Sequence, residues 1–405
     1  MWRAGGAATL GSMRRIEALD VLRGVAIMGT LGTNIWLFTA PGGPGAGIGS
    51  GAEPVETFLR FLANGKFLGL LTLLFGVGLE LQYRSALRRG VRWPGWYLWR
   101  AALLLAEGLL HYVLIFEFDV LMGYAVTSVL VAYLIGRSDR AVRAWMIALG
   151  ALHAVAAALI TYALFNVDSQ IGGPVTPLYT EGSWLDQVAA RLQLMPIYRA
   201  ESIFIIPMAT VLFLAGSRLT RAGVFESSAR GARLRTRLMV IGLGVALPLN
   251  AVTAFADPAW FFVDRYVLPP FVALGLLGLV TAVVARMRGT AGPLRRGLTG
   301  VGRTALSCYV FQNLVASVIC YGWGLGLAAR FADLRPWWVI GAWAGICALF
   351  MALSALWLRS FDRGPLELVW QWAYRLPQRG RAQVAGSAEQ GSPPQTSTTS
   401  PTLRK

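Results

Sequence analysis

Ten apolar stretches divide this chain, and the arginines fall almost entirely beside every second gap between them. A helix needs about 20 apolar residues to cross about 30 Å of hydrocarbon. The stretches lie at roughly 21–40, 58–81, 97–117, 119–136, 143–165, 201–220, 238–257, 266–286, 304–327 and 336–358. The third and fourth meet so tightly at Glu117–Asp119 that they form a helical hairpin. All but seven of the 37 basic residues fall on one side of this alternation. The seven are Arg60, Lys66, Arg191, Arg199, Arg265, Arg330 and Arg335. An excess of Lys and Arg marks the cytoplasmic side. The expectation is an all-α, polytopic helix bundle of ten spans with both termini cytoplasmic, in a bacterial cell (inner) membrane.

Composition supports this reading. With 56% hydrophobic and 14% charged residues, the chain has too little polar surface to cover a water-soluble fold. Disorder is excluded for the same reason, except in the Ser/Thr/Pro/Gln-rich tail. The net charge of +17 reads as a topology signal, so no nucleic acid is expected as a partner; membrane lipids are. Residues 1–20 form a cytoplasmic N-terminal extension, 21–376 the transmembrane body and 377–405 a disordered cytoplasmic tail. The first 20 residues lack the apolar core and cleavage site of a secretory signal, and Met13 is a second candidate start. Cys308, Cys320 and Cys347 sit in apolar runs and read as buried thiols without disulfides. His111 and His153 are the only histidines, so no multi-histidine metal site is expected. On the outer side, residues 40–56 are Gly-rich. Trp184, Leu185, Val188, Leu192 and Met195 stand at helical spacing, as in a helix lying flat at the interface.

Ionisable side chains at membrane depth are costly and mark functional sites. At ~1.5 Å per residue from the inner edge, Asn34, Lys66, Glu107, His111, His153 and Asn250 fall between ~15 and ~22 Å up. Gln312 and Asn313 fall slightly below, at ~12–14 Å. Several helices thus point polar groups at one layer. Glu107 and His111 are four apart, on one helix face; a carboxylate beside an imidazole fixes its tautomer and makes it a general base. The alternative is a satisfied interhelical hydrogen bond. Lys66 either snorkels outward or holds an oxyanion. Asp20 and Arg23, three apart, are an ion pair or a clamp at the inner mouth. No phosphate-binding lysine loop, zinc helix or dinucleotide fingerprint is present.

Several stretches together resemble one family. They are Leu19-Asp20-Val21-Leu22-Arg23-Gly24 with Asn34, Gly65-Lys66-Phe67, Leu74-Phe75-Gly76-Val77-Gly78 and Leu110-His111 followed by Asp119-Val120-Leu121. Toward the other end stand Gly302-Arg303-Thr304-Ala305-Leu306-Ser307-Cys308-Tyr309 with Gln312, and Gly364-Pro365-Leu366-Glu367. Their order resembles the YeiB-like bacterial membrane family of unknown function, itself similar to transmembrane acyltransferases such as the heparan glucosaminide N-acetyltransferases. The resemblance implies acyl-CoA as a cytoplasmic co-substrate, no metal, and a sugar, lipid or amine acceptor. By position it singles out Asp20, Arg23, Lys66, His111, Asp119, Arg303, Tyr309 and Gln312. Glu107 lies outside these motifs, and no histidine stands between the first two spans, where the better-known acetyltransferases carry theirs.

Two functions follow as expectations. In a membrane acyltransferase, His111 with Glu107 is the base, and Lys66 with Asn34 or Gln312 stabilises the oxyanion. Arg23 and Arg303 then hold phosphates. In a transporter or exporter, the same layer is a substrate site with a proton relay through Glu107–His111 or Asp20.

Overall fold

The computed structural model describes residues 3–46, 53–166, 176–287 and 291–376, with side chains from residue 17 onward. The disordered tail expected at 377–405 and much of the Gly-rich outer loop lie outside these residues. The described residues are predominantly helical, joined by turns and short loops, and contain no strand. In chain order the helices are α1 (Arg3–Phe38), α2 (Pro54–Ala63), α3 (Lys66–Arg88), α4 (Tyr97–Leu114), α5 (Leu121–Leu134), α6 (Asp139–Asn166), α7 (Trp184–Gln193) and α8 (Met195–Arg221). Then come α9 (Ala229–Met239), α10 (Leu247–Ala256), α11 (Leu268–Arg286), α12 (Pro293–Arg303), α13 (Ala305–Cys320), α14 (Leu327–Arg330) and α15 (Trp337–Trp357). A final helix covers 365–376.

Each of the ten apolar stretches contains a helix. Among the described residues, seven helical segments are long and apolar enough to cross a membrane, including Pro54–Arg88, Ala229–Ala256 and Pro258–Arg286. α5 and α13 are apolar but shorter, and α4 is interrupted by Arg100, Glu107 and His111. α1 starts at Arg3, inside the segment expected as an extension. Once a helix is nucleated, each added residue gains a hydrogen bond at little further cost.

Burial is reversed relative to a soluble protein. Ile147, Leu159 and Tyr162 on α6 are 64–71% exposed, and Val252 on α10 is 66% exposed. Glu80, Glu117 and Arg191 are at most 1% exposed. Water would not leave so much apolar surface uncovered; hydrocarbon does, and it drives charges inward. α7 shows the reversal in ten residues. Leu185 and Leu192 face outward, while Gln187 and Arg191, four apart, are buried. The segment expected to lie flat at the interface is thus a helix whose polar face is tied to the bundle.

α1 runs through the centre, touching α2, α3, α11, α12, α13 and α15. Its crossing with α12 is close enough that a Cβ at Gly302 would stand 1.8 Å from the Asp20 carbonyl, and one at Gly24 2.1 Å from that of Leu298. Only glycine fits there, which accounts for two motif positions.

The arginine-bearing loops gather at one end. Arg221 pairs with Glu80 at 2.9 Å and donates to the Ile135 carbonyl. Arg218 pairs with Asp139, and Arg295 with Glu17. Arg100 lies over the Trp370 ring. At the opposite end, Arg335 joins Glu56 and the Thr39 carbonyl, and Arg199 donates to the Glu117 and Asp119 carbonyls.

Candidate functional site

The α4–α5 hairpin builds the centre. Gly108 packs against the start of α5, where a Cβ would meet the Met122 backbone nitrogen at 2.6 Å. The chain therefore turns back at once, and Asp119 returns to the level of His111. One Asp119 oxygen, Oδ2, accepts from the backbone nitrogens of Leu121 (2.9 Å) and Met122 (3.3 Å), capping α5. The other, Oδ1, receives His111 Nδ1 at 2.9 Å and the Tyr309 hydroxyl at 3.2 Å. The Tyr309 ring lies 5.2 Å from the imidazole. On the far side of the ring, Asn313 Nδ2 stands 3.2 Å from His111 Nε2, and Asn34 Nδ2 donates to Asn313 Oδ1 at 3.3 Å.

These bonds fix the proton pattern. A carboxylate accepts only, so His111 carries its proton on Nδ1. Nε2 keeps a lone pair, covered by one amide. His111, Asp119, Tyr309 and Asn313 are each at most 5% exposed, and Asn34 is 8% exposed. The set joins α1, the α4–α5 hairpin and α13.

The expected Glu107–His111 pair is not formed: Asp119, eight residues along, takes the imidazole instead. The rule that pairs residues four apart holds within one helix, and the tight turn overrides it. Both Glu107 carboxylate oxygens are buried and accept no hydrogen bond. Gln312 is fully buried; its Nε2 reaches the Ile27 carbonyl at 3.4 Å and its Oε1 has no partner.

Lys66 stands in a second centre. Its ammonium donates to the Phe61 carbonyl and lies 3.9 Å from the centre of the Phe61 ring. Around it, Asn64 donates to Asp264 (2.8 Å), Asn250 donates to Asp264 (2.6 Å) and Arg265 donates to Asn64 (2.8 Å). Tyr266 receives Arg265 Nε at 2.9 Å and donates to Glu201. α1 separates the centres: Thr33 bonds the Ala63 carbonyl on one side, and Asn34 bonds Asn313 on the other. Lys66 therefore stands in a different centre from Asn34 and Asn313. Two helix breaks meet here. Gly65, at φ +69°, divides α2 from α3, and a Cβ on it would stand 2.3 Å from the Arg265 carbonyl in the π-helical segment Val263–Val267. His153 braces this centre, with its ring nitrogens 3.2 and 3.0 Å from the Phe204 and Tyr266 carbonyls.

The remaining site residues lie at the arginine-rich end. Asp20 pairs with Arg23 at 3.1 Å, and Arg303 donates to the Asp362 carbonyl. Arg23 and Arg363 are close enough to repel Arg100. Glu367 caps α13, accepting from the Leu306 nitrogen at 2.8 Å and from Ser307, which explains why the last two motifs occur together. At the other end, Glu117 receives Arg191 (3.3 Å) and the Tyr179 hydroxyl. Burial first, then the Glu117 charge, pushes the Tyr179 phenol above its ordinary value. Glu201, Tyr179 and Tyr112, whose hydroxyl donates to the Arg191 carbonyl, were not readable as site residues: each stands alone in its local sequence. Cys308, Cys320 and Cys347 are buried free thiols. Among the described residues no group of three or more His, Cys, Asp or Glu is placed to hold a metal ion.

A family model described as "Protein of unknown function (DUF418)" matches residues 219–376. The uncharacterized protein YxaH of Bacillus subtilis (strain 168) is 25% identical over 387 residues, covering 89% of this chain and 94% of the relative. The uncharacterized protein YeiB of Escherichia coli (strain K12) is 27% identical over 390 residues, 89% of this chain and 96% of the relative. No solved structure matches.

Proposed function

We propose that this YeiB-like chain, homologous to YxaH and YeiB over nine-tenths of its length, is a ten-pass transmembrane acyltransferase of the bacterial inner membrane. Both termini are cytoplasmic in this reading, because the arginine-rich end faces the cytoplasm. The acyl group comes from cytoplasmic acyl-CoA, and the acceptor is a hydroxyl or amine of a sugar, lipid or small molecule. The supporting observation is the Asp119–His111 pair, with a lone pair on Nε2 covered only by the Asn313 amide.

The acceptor displaces Asn313 from Nε2. Its oxygen or nitrogen attacks the thioester carbonyl as His111 Nε2 takes its proton, and Asp119 holds the resulting imidazolium. The Asn313 and Gln312 amides donate to the oxyanion; one such donor is worth about 3–4 kcal/mol. Collapse breaks the carbon–sulfur bond, and the leaving thiolate takes the proton from His111. Arg23, Arg100 and Arg303 supply guanidinium groups for the phosphates. Glu107, one turn nearer that end and unpaired, is placed to accept from a polar group of the acceptor other than the attacking atom. Lys66 has no part in this step.

The test is purified protein with labelled acyl-CoA and a panel of amines and alcohols. Transfer by wild type and its loss in His111→Ala are expected; equal rates in the two would overturn the reading. The facing helix breaks at Gly65 and Val263–Val267 favour a second reading, transport, since discontinuous helices at membrane depth carry substrate sites in transporters. Flux into proteoliposomes that follows a pH gradient without acyl-CoA would establish it.

A further inference from the structure

A groove of about 960 Å³ opens at the arginine-rich end, on the surface away from the His111 centre. Tyr83 and Leu87 from the end of α3, Val91–Gly95 from the α3–α4 loop, Leu98 from the start of α4, Ala132 and Tyr133 from the end of α5, and Gly136 and Arg137 just beyond it line it. Two arginines, Arg92 and Arg137, belong to this lining, and no acidic residue does. Neither guanidinium makes an ion pair or side-chain hydrogen bond among the described residues. The nearby acids are already taken, Glu80 by Arg84 and Arg221, and Asp139 by Arg218. The groove therefore carries two uncompensated positive charges.

Its shape is fixed. The Trp93 indole donates to the Ala132 carbonyl at 2.7 Å and meets Tyr83 edge-on at 5.3 Å. A Cβ at Gly136 would stand 2.9 Å from the Tyr83 hydroxyl, so glycine keeps the floor open. Beside the guanidinium groups the rim is apolar: Leu87, Val91 and Tyr133 are 43–55% exposed.

We infer that this groove binds the phosphate headgroup of an anionic membrane lipid. Arginine forks match a phosphate. Aromatic side chains sit at the level of headgroups, and the exposed apolar rim continues the surface along which an acyl chain lies. A free phosphate has no use for that rim, which decides between the two sources. The site is independent of the acyl-transfer reading.

Native mass spectrometry of the full chain, delipidated and then titrated with dioleoyl phosphatidylglycerol or dioleoyl phosphatidylcholine, tests it. Wild type should retain phosphatidylglycerol in preference. The double variant Arg92→Gln/Arg137→Gln should bind it about thirtyfold more weakly, given the usual contribution of a basic residue to anionic-lipid attraction. Both side chains are exposed, so the fold is not at stake. Arg88→Gln/Arg89→Gln, with the same change of charge outside the groove, should bind as wild type does. Equal retention of the two lipids, unchanged binding by the first variant, or an equal loss in the second would overturn the proposal. Displacement of phosphatidylglycerol by a lower concentration of soluble acyl-CoA would also overturn it, by assigning the groove to a soluble phosphate.

Discussion

The His111 and Lys66 centres are made of the same kinds of residues at similar depth, yet they are wired differently. Around Lys66 the charges cancel, with Lys66 and Arg265 against Asp264 and Glu201, and the asparagines bridge them. Around His111 they do not. Asp119 meets an imidazole and a phenol rather than a Lys or Arg side chain, and Glu107 has no partner. A closed, balanced set holds helices together at their breaks. An open set with a displaceable amide and an unpaired carboxylate is arranged to take up a ligand. Polar residues inside a membrane therefore do not all mean function; whether the charges balance separates a clamp from a site.

The largest expected effect would break the clamp. Asp264→Ala takes the acceptor from Asn64 and Asn250 and the nearby negative charge from Lys66, and each buried donor left without its partner costs about 1–3 kcal/mol. Its thermal unfolding midpoint, followed by tryptophan fluorescence in detergent, should fall far below that of His111→Ala. If His111→Ala falls further, the two assignments are interchanged.

On activity the order should reverse. His111→Ala should lower acyl transfer by about 10²–10⁴-fold, the range of a general base, while Lys66→Met leaves the turnover of the folded fraction close to wild type. A loss in Lys66→Met matching that in His111→Ala would return the lysine to the reaction. Asp119→Asn sharpens the point. An amide in place of the carboxylate no longer fixes the Nδ1 proton, so transfer should drop although the hairpin still folds.

Gly302→Ala tests packing between the centres and the arginine-rich end. A Cβ against the Asp20 carbonyl should cost about 1–3 kcal/mol by overpacking, read as a lower unfolding midpoint with no change in the pH profile of transfer.

The smallest effect concerns the cover over the hairpin. Asp186 caps α7 through Ser183, and the hydrogen bonds to Ser183 hold its carboxyl below the usual carboxylate range. A lowered folded value means the cap contributes above the unfolded value and is lost as pH falls through the folded one. Hydrogen exchange across 184–193 should therefore quicken only in strong acid, and Asp186→Asn should remove that dependence.

Legibility in the sequence differed between these regions. The hairpin was readable because Glu117–Asp119 leaves no room for a loop, and His111 stood out as one of two histidines. The partner was misread: Glu107 is four residues away along the helix, whereas Asp119 becomes a neighbour only after the chain reverses. The Lys66 centre was half visible. Lys66 and Asn250 were marked by their depth, but Glu201 gave no signal.

The sequence by itself determined the helices, their order and the gathering of arginines at one end, because apolar length and charge placement act on each segment separately. Only the tertiary structure decided which polar groups meet. A buried donor or charge must find its complement wherever packing brings one, and residues as far apart as Asn34 and Asn313 become partners only when α1 and α13 lie side by side.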